Sequence, residues 1–155
     1  MQGKDQTITE EFKHTCRRHN LKITPQRIAL YNIVKNNKTH PSAQDIYRKV
    51  IQSYPNISFD TVNRTLNTFA EIGIIDVVEG YGEPRKFDPD REPHHHLHCI
   101  RCGKIVDFHD NTLDNVDIPS HVLEEFDVVS TRFVINGICR ECRYKESGLK
   151  GNGGG

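Results

Sequence analysis

Two C-x2-C pairs, Cys99/Cys102 and Cys139/Cys142, restrict the folds open to this chain more than any other feature of its sequence. A C-x2-C turn aims both sulfurs at one ion, and a tetrahedral four-sulfur cage needs two such turns brought together by the fold. The interval between the pairs is too long for a compact zinc ribbon, so a whole supersecondary unit must fold between them. Gly103 directly follows the first pair and Gly137 precedes the second. The alternatives are two disulfides or free buried cysteines. Nothing at the N-terminus resembles a signal peptide, which argues against an oxidising compartment and leads us to expect a cytoplasmic protein with structural Zn2+. Cys16 stands apart: at helical spacing from Ile8 and Phe12, it reads as a buried apolar residue rather than a ligand.

Just before the first pair lies His94-His95-His96-Leu97-His98. On a strand His94, His96 and His98 share one face while His95 points to the other. Asp88 and Asp107 could add oxygens from flanking strands. Nitrogen and oxygen donors suit a harder, more exchangeable ion than thiolates do, so a regulatory or catalytic site for iron, manganese or zinc is expected. The bland alternative is a set of exposed loop histidines; this run, however, is internal and abuts the cysteine pair.

The formal net charge of zero hides an asymmetry. Residues 1–75 carry 11 Lys and Arg against 6 Asp and Glu, whereas the remainder carries 10 against 15. A basic N-terminal half and an acidic, ligand-rich C-terminal half point to two domains, the first of them suited to phosphates. No apolar run approaches the length of a membrane span.

Residues 1–8 are polar and expected to fray. Thr9 caps a short helix carrying Ile8, Phe12 and Cys16 at four-residue steps; its basic residues either meet phosphates or solvate a surface. Thr24-Pro25 is a helix start, with Thr at the N-cap and Pro at the first helical position, and Ile28, Tyr31 and Val34 follow on one face. Ser42 caps a third helix with Asp45 at the capping-box position, turning Ile46 and Val50 inward. On local grounds His40, in the connection before Pro41, is an ordinary loop histidine.

Ser58 begins a fourth helix with Phe59, Val62, Leu66, Phe69 and Ala70 as its apolar stripe, Thr61, Asn63, Arg64, Thr65 and Thr68 facing solvent, and Gly73 as its stop. Small polar residues around one arginine suit a major groove, and equally an ordinary amphipathic surface. Ile74–Val78 and Arg85–Phe87 read as two strands around the turn EGYGEP, completing a winged-helix pattern. Beyond a Pro-rich, charged hinge, His94–Ile100, Lys104–Phe108 and Val128–Ile135 are expected strands, and Asp114–Phe126 a helical insertion broken at Pro119. The tail GLKGNGGG is expected to be disordered.

The motifs ITPQR, HPSAQDIYRKV, TVNRTLNTF, the H-x-H beside CIRCGKIVDF and the final C-x2-C together closely resemble the ferric uptake regulator superfamily, from about Ile23 to Cys142. Within it the pattern looks most like the peroxide-responsive branch. The resemblance implies an α+β chain: a winged-helix DNA-binding domain over residues 1–88, a hinge over 89–93, a small α/β dimerisation domain with a structural four-cysteine zinc site over 94–146, and a tail over 147–155. It places structural zinc on Cys99, Cys102, Cys139 and Cys142. It places regulatory Fe2+ or Mn2+ on His40, Asp88, His94, His96 and Asp107, which overturns the local reading of His40. Both carboxylates are Asp where iron-uptake regulators tend to use Glu. A zinc-uptake regulator would be expected to have a cysteine in this set.

The function so implied is a homodimeric, metal-dependent repressor, not an enzyme. It binds a palindromic double-stranded DNA operator through Thr61, Asn63, Arg64, Thr65 and Arg27. It takes no small molecule other than peroxide, which acts as a signal by oxidising His40 or His94. The alternative is a repressor that reads iron or manganese concentration alone. A metallohydrolase on the same histidines lacks a general base separate from the ligands and leaves the winged helix unexplained. Asn63 departs from the Tyr usual in relatives, and a last strand without histidine makes a third metal site doubtful despite His95 and Asp114.

Overall fold

The computed structural model describes residues 8–78 and 84–149, which divide into two compact units meeting between Arg91 and Glu92. The turn EGYGEP lies almost wholly outside the described residues, as do the polar N-terminal stretch before Ile8 and all but the start of GLKGNGGG.

The first unit opens with four helices: α1 Glu10–Arg18, α2 Pro25–Lys35, α3 Ala43–Val50 and α4 Phe59–Glu71. Each begins at a hydroxyl that accepts a backbone N–H otherwise orphaned by the helix start. Thr9 accepts from Phe12 at 3.1 Å, Thr24 from Arg27 at 3.3 Å and Ser58 from Thr61 at 3.1 Å. Ser42 and Asp45 form a reciprocal capping box. Two helices end in Schellman turns. After α1, Asn20 takes φ 54° and Leu21 N–H donates to the Cys16 carbonyl at 2.8 Å. After α4, Gly73 takes φ 79° and Ile74 N–H donates to the Phe69 carbonyl at 2.8 Å.

These ends aim one face of every helix at a common core of Phe12, Leu30, Val34, Ile46, Val50, Val62, Leu66 and Phe69, with Cys16 buried beside them as its spacing implied. The Phe12 ring lies 4.3 Å from Tyr31 and meets Phe69 edge-on at 5.9 Å. Phe59 departs from its expected place in the stripe: it stays 41% exposed and packs edge-on against Tyr47 at 5.7 Å. One turn before Val62 the helix has already run past the core, so the ring finds α3 instead.

A short antiparallel pair follows, β1 Asp76–Val77 with β2 Phe87–Asp88. It is shorter than the apolar run suggested because Ile74 and Ile75 enter the core before pairing begins. The other edge of this segment also finds a partner. Ser42 and Lys86 form an isolated bridge, and Phe87 N–H donates to the Pro41 carbonyl at 2.9 Å. That pairing draws the segment His40–Ser42 alongside β2.

The second unit is a three-stranded sheet in the order β4-β3-β5, built from β3 His95–Cys99, β4 Ile105–Phe108 and β5 Val134–Gly137. β4 returns antiparallel to β3 through the cysteine turn, whereas β5 runs parallel to β3 and so needs a crossover. The crossover carries α5 Asn111–Asp114 and α6 Ser120–Glu125, and α7 Arg140–Leu149 follows β5. Three expectations shift here. The helical insertion starts earlier, because Asp110 caps α5 by accepting from Thr112 and Leu113 at 2.9 and 3.1 Å. The last strand starts only at Val134; residues 128–133 form no regular strand, although the Phe133 carbonyl accepts the His96 N–H at 3.0 Å, and Val129 is 97% exposed. Helix α7 was not expected.

Candidate metal centres and nucleic-acid interface

The turn between β3 and β4 carries Cys99 and Cys102, and Gly103 adopts φ 75° to close it. Cys139 and Cys142 sit at the start of α7, directly beyond β5. Because Cys99 pairs with Gly137 across the parallel strands, the two C-x2-C segments emerge side by side. The four sulfurs gather within 4.8 Å of one another. Cys99 Sγ lies 3.9 Å from Cys142 Sγ, and Cys102 Sγ 3.8 Å from Cys139 Sγ. Four sulfurs at about 2.3 Å from a central zinc are ~3.8 Å apart. Both measured sulfur–sulfur distances match that spacing, and the cluster fits a structural zinc site.

Its protonation has the same sense. The Cys99 thiol is held down to about 5, chiefly by the backbone N–H of Cys102 and next by that of Cys139, which reaches its sulfur at 3.3 Å. Cys142 is pushed up to about 12, first by its hydrogen bond with Cys139 and then by burial. One thiolate forms readily and the last resists, as four close sulfurs must until a cation neutralises them. Two ion pairs close the cage from outside, Lys104 with Glu141 at 3.2 Å and Arg101 with Glu146.

At the other end of β3, His96 and Asp107 are partners in the antiparallel register. His94 Nε2 lies 3.1 Å from His96 Nε2, and Asp107 Oδ1 lies 3.2 Å from His96 Nε2 and 3.7 Å from that of His94. His94 Nδ1 is 2.6 Å from the Glu92 carbonyl, which can only accept, so Nδ1 carries the proton and Nε2 presents its lone pair. Two imidazole nitrogens at about 2.1 Å from one ion and at right angles are ~3.0 Å apart. A ring nitrogen from each histidine and one carboxylate oxygen at these distances can hold a divalent cation.

In the first unit, the bridge beside β2 sets His40 Nε2 3.4 Å from Asp88 Oδ2, with both side chains buried. His40 adopts φ 55°, a left-handed conformation that costs a non-glycine residue about 1–3 kcal/mol. So His40 pairs with Asp88 in one unit, and His94, His96 and Asp107 converge in the other.

His95 takes the opposite face of β3, as the alternation required. It is buried between Phe108 and Phe133, accepts the Phe133 N–H at Nδ1 over 3.2 Å, and donates from Nε2 to Asp114 at 2.9 Å. Sequence reasoning noted the two residues but had no signal for this bond. His98 meets Asn136 at 3.1 Å across the parallel pair, and His109 donates to the Pro93 carbonyl at 3.0 Å.

Thr61, Asn63, Arg64 and Thr65 lie on the face of α4 turned away from the core, with Thr61 and Arg64 exposed and the other two half-buried. Arg27, at the start of α2, donates to the Lys22 carbonyl at 2.6 Å. No helix among the described residues is long and apolar enough to cross a membrane.

The profile of the Ferric uptake regulator family matches residues 18–136. The chain belongs to the ferric uptake regulator family. It is 37% identical over 134 residues to the peroxide-responsive repressor PerR of Staphylococcus epidermidis, a match covering 86% of this chain and 89% of that one. It is 35% identical over 136 residues to PerR of Staphylococcus aureus Mu50, covering 88% and 92%. Among solved structures, the ferric uptake regulator Fur of Helicobacter pylori, described as having three functional metal-binding sites, superposes with a TM-score of 0.71 at 26% identity over 86% of this chain and 90% of that one. These ferric uptake regulator relatives are regulators, not enzymes.

Proposed function

We propose that this chain is a homodimeric, metal-dependent transcriptional repressor that senses peroxide through its regulatory-metal histidines. The observation that carries the reading is the orientation of His94: its Nδ1 proton is committed to Glu92, so a lone pair faces His96 and Asp107. In this reading His94, His96 and Asp107 of the second unit share one Fe2+ or Mn2+ with His40 and Asp88 of the first, and Cys99, Cys102, Cys139 and Cys142 hold permanent Zn2+. The likeness to two PerR repressors at 35–37% identity supports the peroxide-responsive branch.

The first unit then acts as a winged-helix DNA-binding domain, over residues 1–88. α4 reads a palindromic operator through Thr61, Asn63, Arg64 and Thr65, β1–β2 form the base of the wing, and Arg27 meets the backbone. Residues 89–93 act as the hinge and 94–146 as the dimerising domain. Apart from Cys99, the buried apolar side chains among the described residues all belong to the first unit, while Leu97, Val106 and Ile135 remain exposed on the small sheet. A unit with so little core of its own is expected to pair with a second copy. Charge partition, with the acidic excess on the metal-binding half, supports keeping DNA to the first unit.

When bound, ferrous iron supplies the reducing electron that peroxide needs. His40 or His94 would be the ring oxidised: over the whole reaction one peroxide oxygen is inserted at a ring C–H bond, the ring gives up two electrons, the second oxygen leaves as water, and the iron would end ferrous. An oxidised ring is a poorer donor, so the ligand set fails and the operator is released. The test is peptide mass spectrometry of the ferrous and manganous forms after brief low-dose peroxide, with operator binding followed in parallel. One oxygen gained on the His40 or His94 peptide, only with iron and together with lost binding, supports the reading. If both forms stay unmodified and bound, the protein is instead a repressor that reads iron or manganese concentration, released reversibly by chelation.

A further inference from the structure

Arg64 does not extend freely from α4. Its Nη2 donates to Asp60 Oδ2 one turn earlier, and both side chains are well exposed, at 78% and 73%. An exposed pair at this spacing adds little to stability. It does, however, place the guanidinium beside Asp60, on the face that carries Thr61, Asn63 and Thr65. The neighbouring hydroxyls are already engaged: Thr65 Oγ1 donates to the Thr61 carbonyl at 2.8 Å and Thr68 Oγ1 to the Arg64 carbonyl at 3.0 Å. These threonines present methyls and acceptor lone pairs outward, leaving Arg64 as a principal donor fork of the surface.

We propose that Asp60 is a positioning residue for base recognition, holding Arg64 so that its remaining N–H groups meet a guanine edge. The proposal rests on the reading of α4 as the DNA-reading helix. A guanidinium carries five N–H groups, and one given to Asp60 leaves enough for the bidentate contact to guanine O6 and N7. An arginine already held in place loses less freedom on binding. The carboxylate also repels phosphate oxygens, so Arg64 is disfavoured as a sequence-blind backbone anchor. Asp60 thus converts a general cation into a reader of one base pair.

The test uses the dimer loaded with zinc and manganese, selected against random-sequence duplexes and then measured on single-base variants of the preferred site. Arg64→Ala should erase the preference at one base pair in each half-site. Asp60→Asn should lower the preference at that same base pair roughly 3- to 10-fold, while binding to random DNA tightens. Asp60→Glu should restore part of it, and Asp60→Asn with Arg64→Ala should show the same base preferences as Arg64→Ala alone. An Asp60→Asn protein with unchanged base preferences, or with binding weakened evenly at every position, overturns the proposal. If Arg64→Ala itself leaves the preferences unchanged, the reading of α4 fails and this proposal falls with it.

Discussion

The Nδ1–H of His94 donates to the carbonyl of Glu92 at 2.6 Å, and that single bond decides which ring nitrogen faces His96 and Asp107. A backbone acceptor cannot be removed by mutation, so the ring itself is the lever. His94→Ala or Asp107→Ala should weaken Fe2+ and Mn2+ binding by tenfold or more while leaving one zinc per chain, as read by titration and elemental analysis of the same sample. Loss of zinc in either variant would place these residues in the wrong site.

The cysteine cage gives the opposite pattern. Cys99→Ser or Cys142→Ser should abolish zinc retention and remove cooperative unfolding of the second unit, since structural zinc sites contribute about 10–16 kcal/mol of apparent binding free energy to small domains. The first unit should keep its helical signal in circular dichroism. A variant that retains stoichiometric zinc and an unchanged melt would rule out the four-sulfur cage.

Without zinc the cage should titrate in a spread. Thiolate absorbance should begin to rise near pH 5 through Cys99 and finish near 12 through Cys142. The signs differ. The Cys99 contribution to stability is present above the ordinary thiol value of 9.0 and is lost as pH falls through about 5; that of Cys142 is present below 9.0 and lost as pH rises through about 12. Cys99→Ser should delete the acid-side step, and a titration unchanged by that substitution would contradict the assignment.

The capping box of α3 offers a test in the first unit. Hydrogen bonds from Ser42, its backbone N–H first, hold the Asp45 carboxyl below its ordinary 3.8. A depressed carboxyl stabilises the fold above that value and ceases to do so as pH falls through its folded-state value. Asp45→Ala should therefore cost about 1 kcal/mol at neutral pH, with the gap to the parent closing in acid. Denaturant melts at pH 7 and below pH 3 would show whether the gap closes.

Asp114→Ala should cost about 1–3 kcal/mol by leaving the buried His95 Nε2 without its acceptor. Faster amide exchange at Phe133, whose N–H bonds the same ring, is the accompanying sign. Equal protection in both proteins would show that the bond does not tie the crossover to the sheet.

The helix starts at Thr9, Thr24, Ser42 and Ser58 were legible because capping is a local bargain between one hydroxyl and the N–H groups of the following turn. The cysteine cage was legible for a similar reason: chelation restricts spacing. What escaped was non-local. No local pattern announces that Pro41 and Phe87 will bond, yet that bond brings His40 beside Asp88. The family resemblance supplied His40 where its sequence neighbourhood could not. Residues 128–133 misled because β-branched side chains favour strands, yet a strand forms only where a neighbour is free to pair with it. Helix α7 was hidden by the cysteines at its start, which drew the reading toward chemistry and away from the residues that follow.

The parallel pairing of β3 with β5 sets a clock. Such pairing closes a long stretch of chain and belongs to the slow class of folding events, and the two cysteine turns meet only once it has formed. A four-sulfur zinc site is therefore complete only once that pairing has formed, which ties full coordination to the end of the domain's folding. His96 and Asp107, by contrast, are brought together by the antiparallel pairing of β3 with β4, which closes a short stretch of chain. The two candidate metal sites thus lie at opposite ends of one strand, one assembled by its parallel neighbour and the other by its antiparallel neighbour.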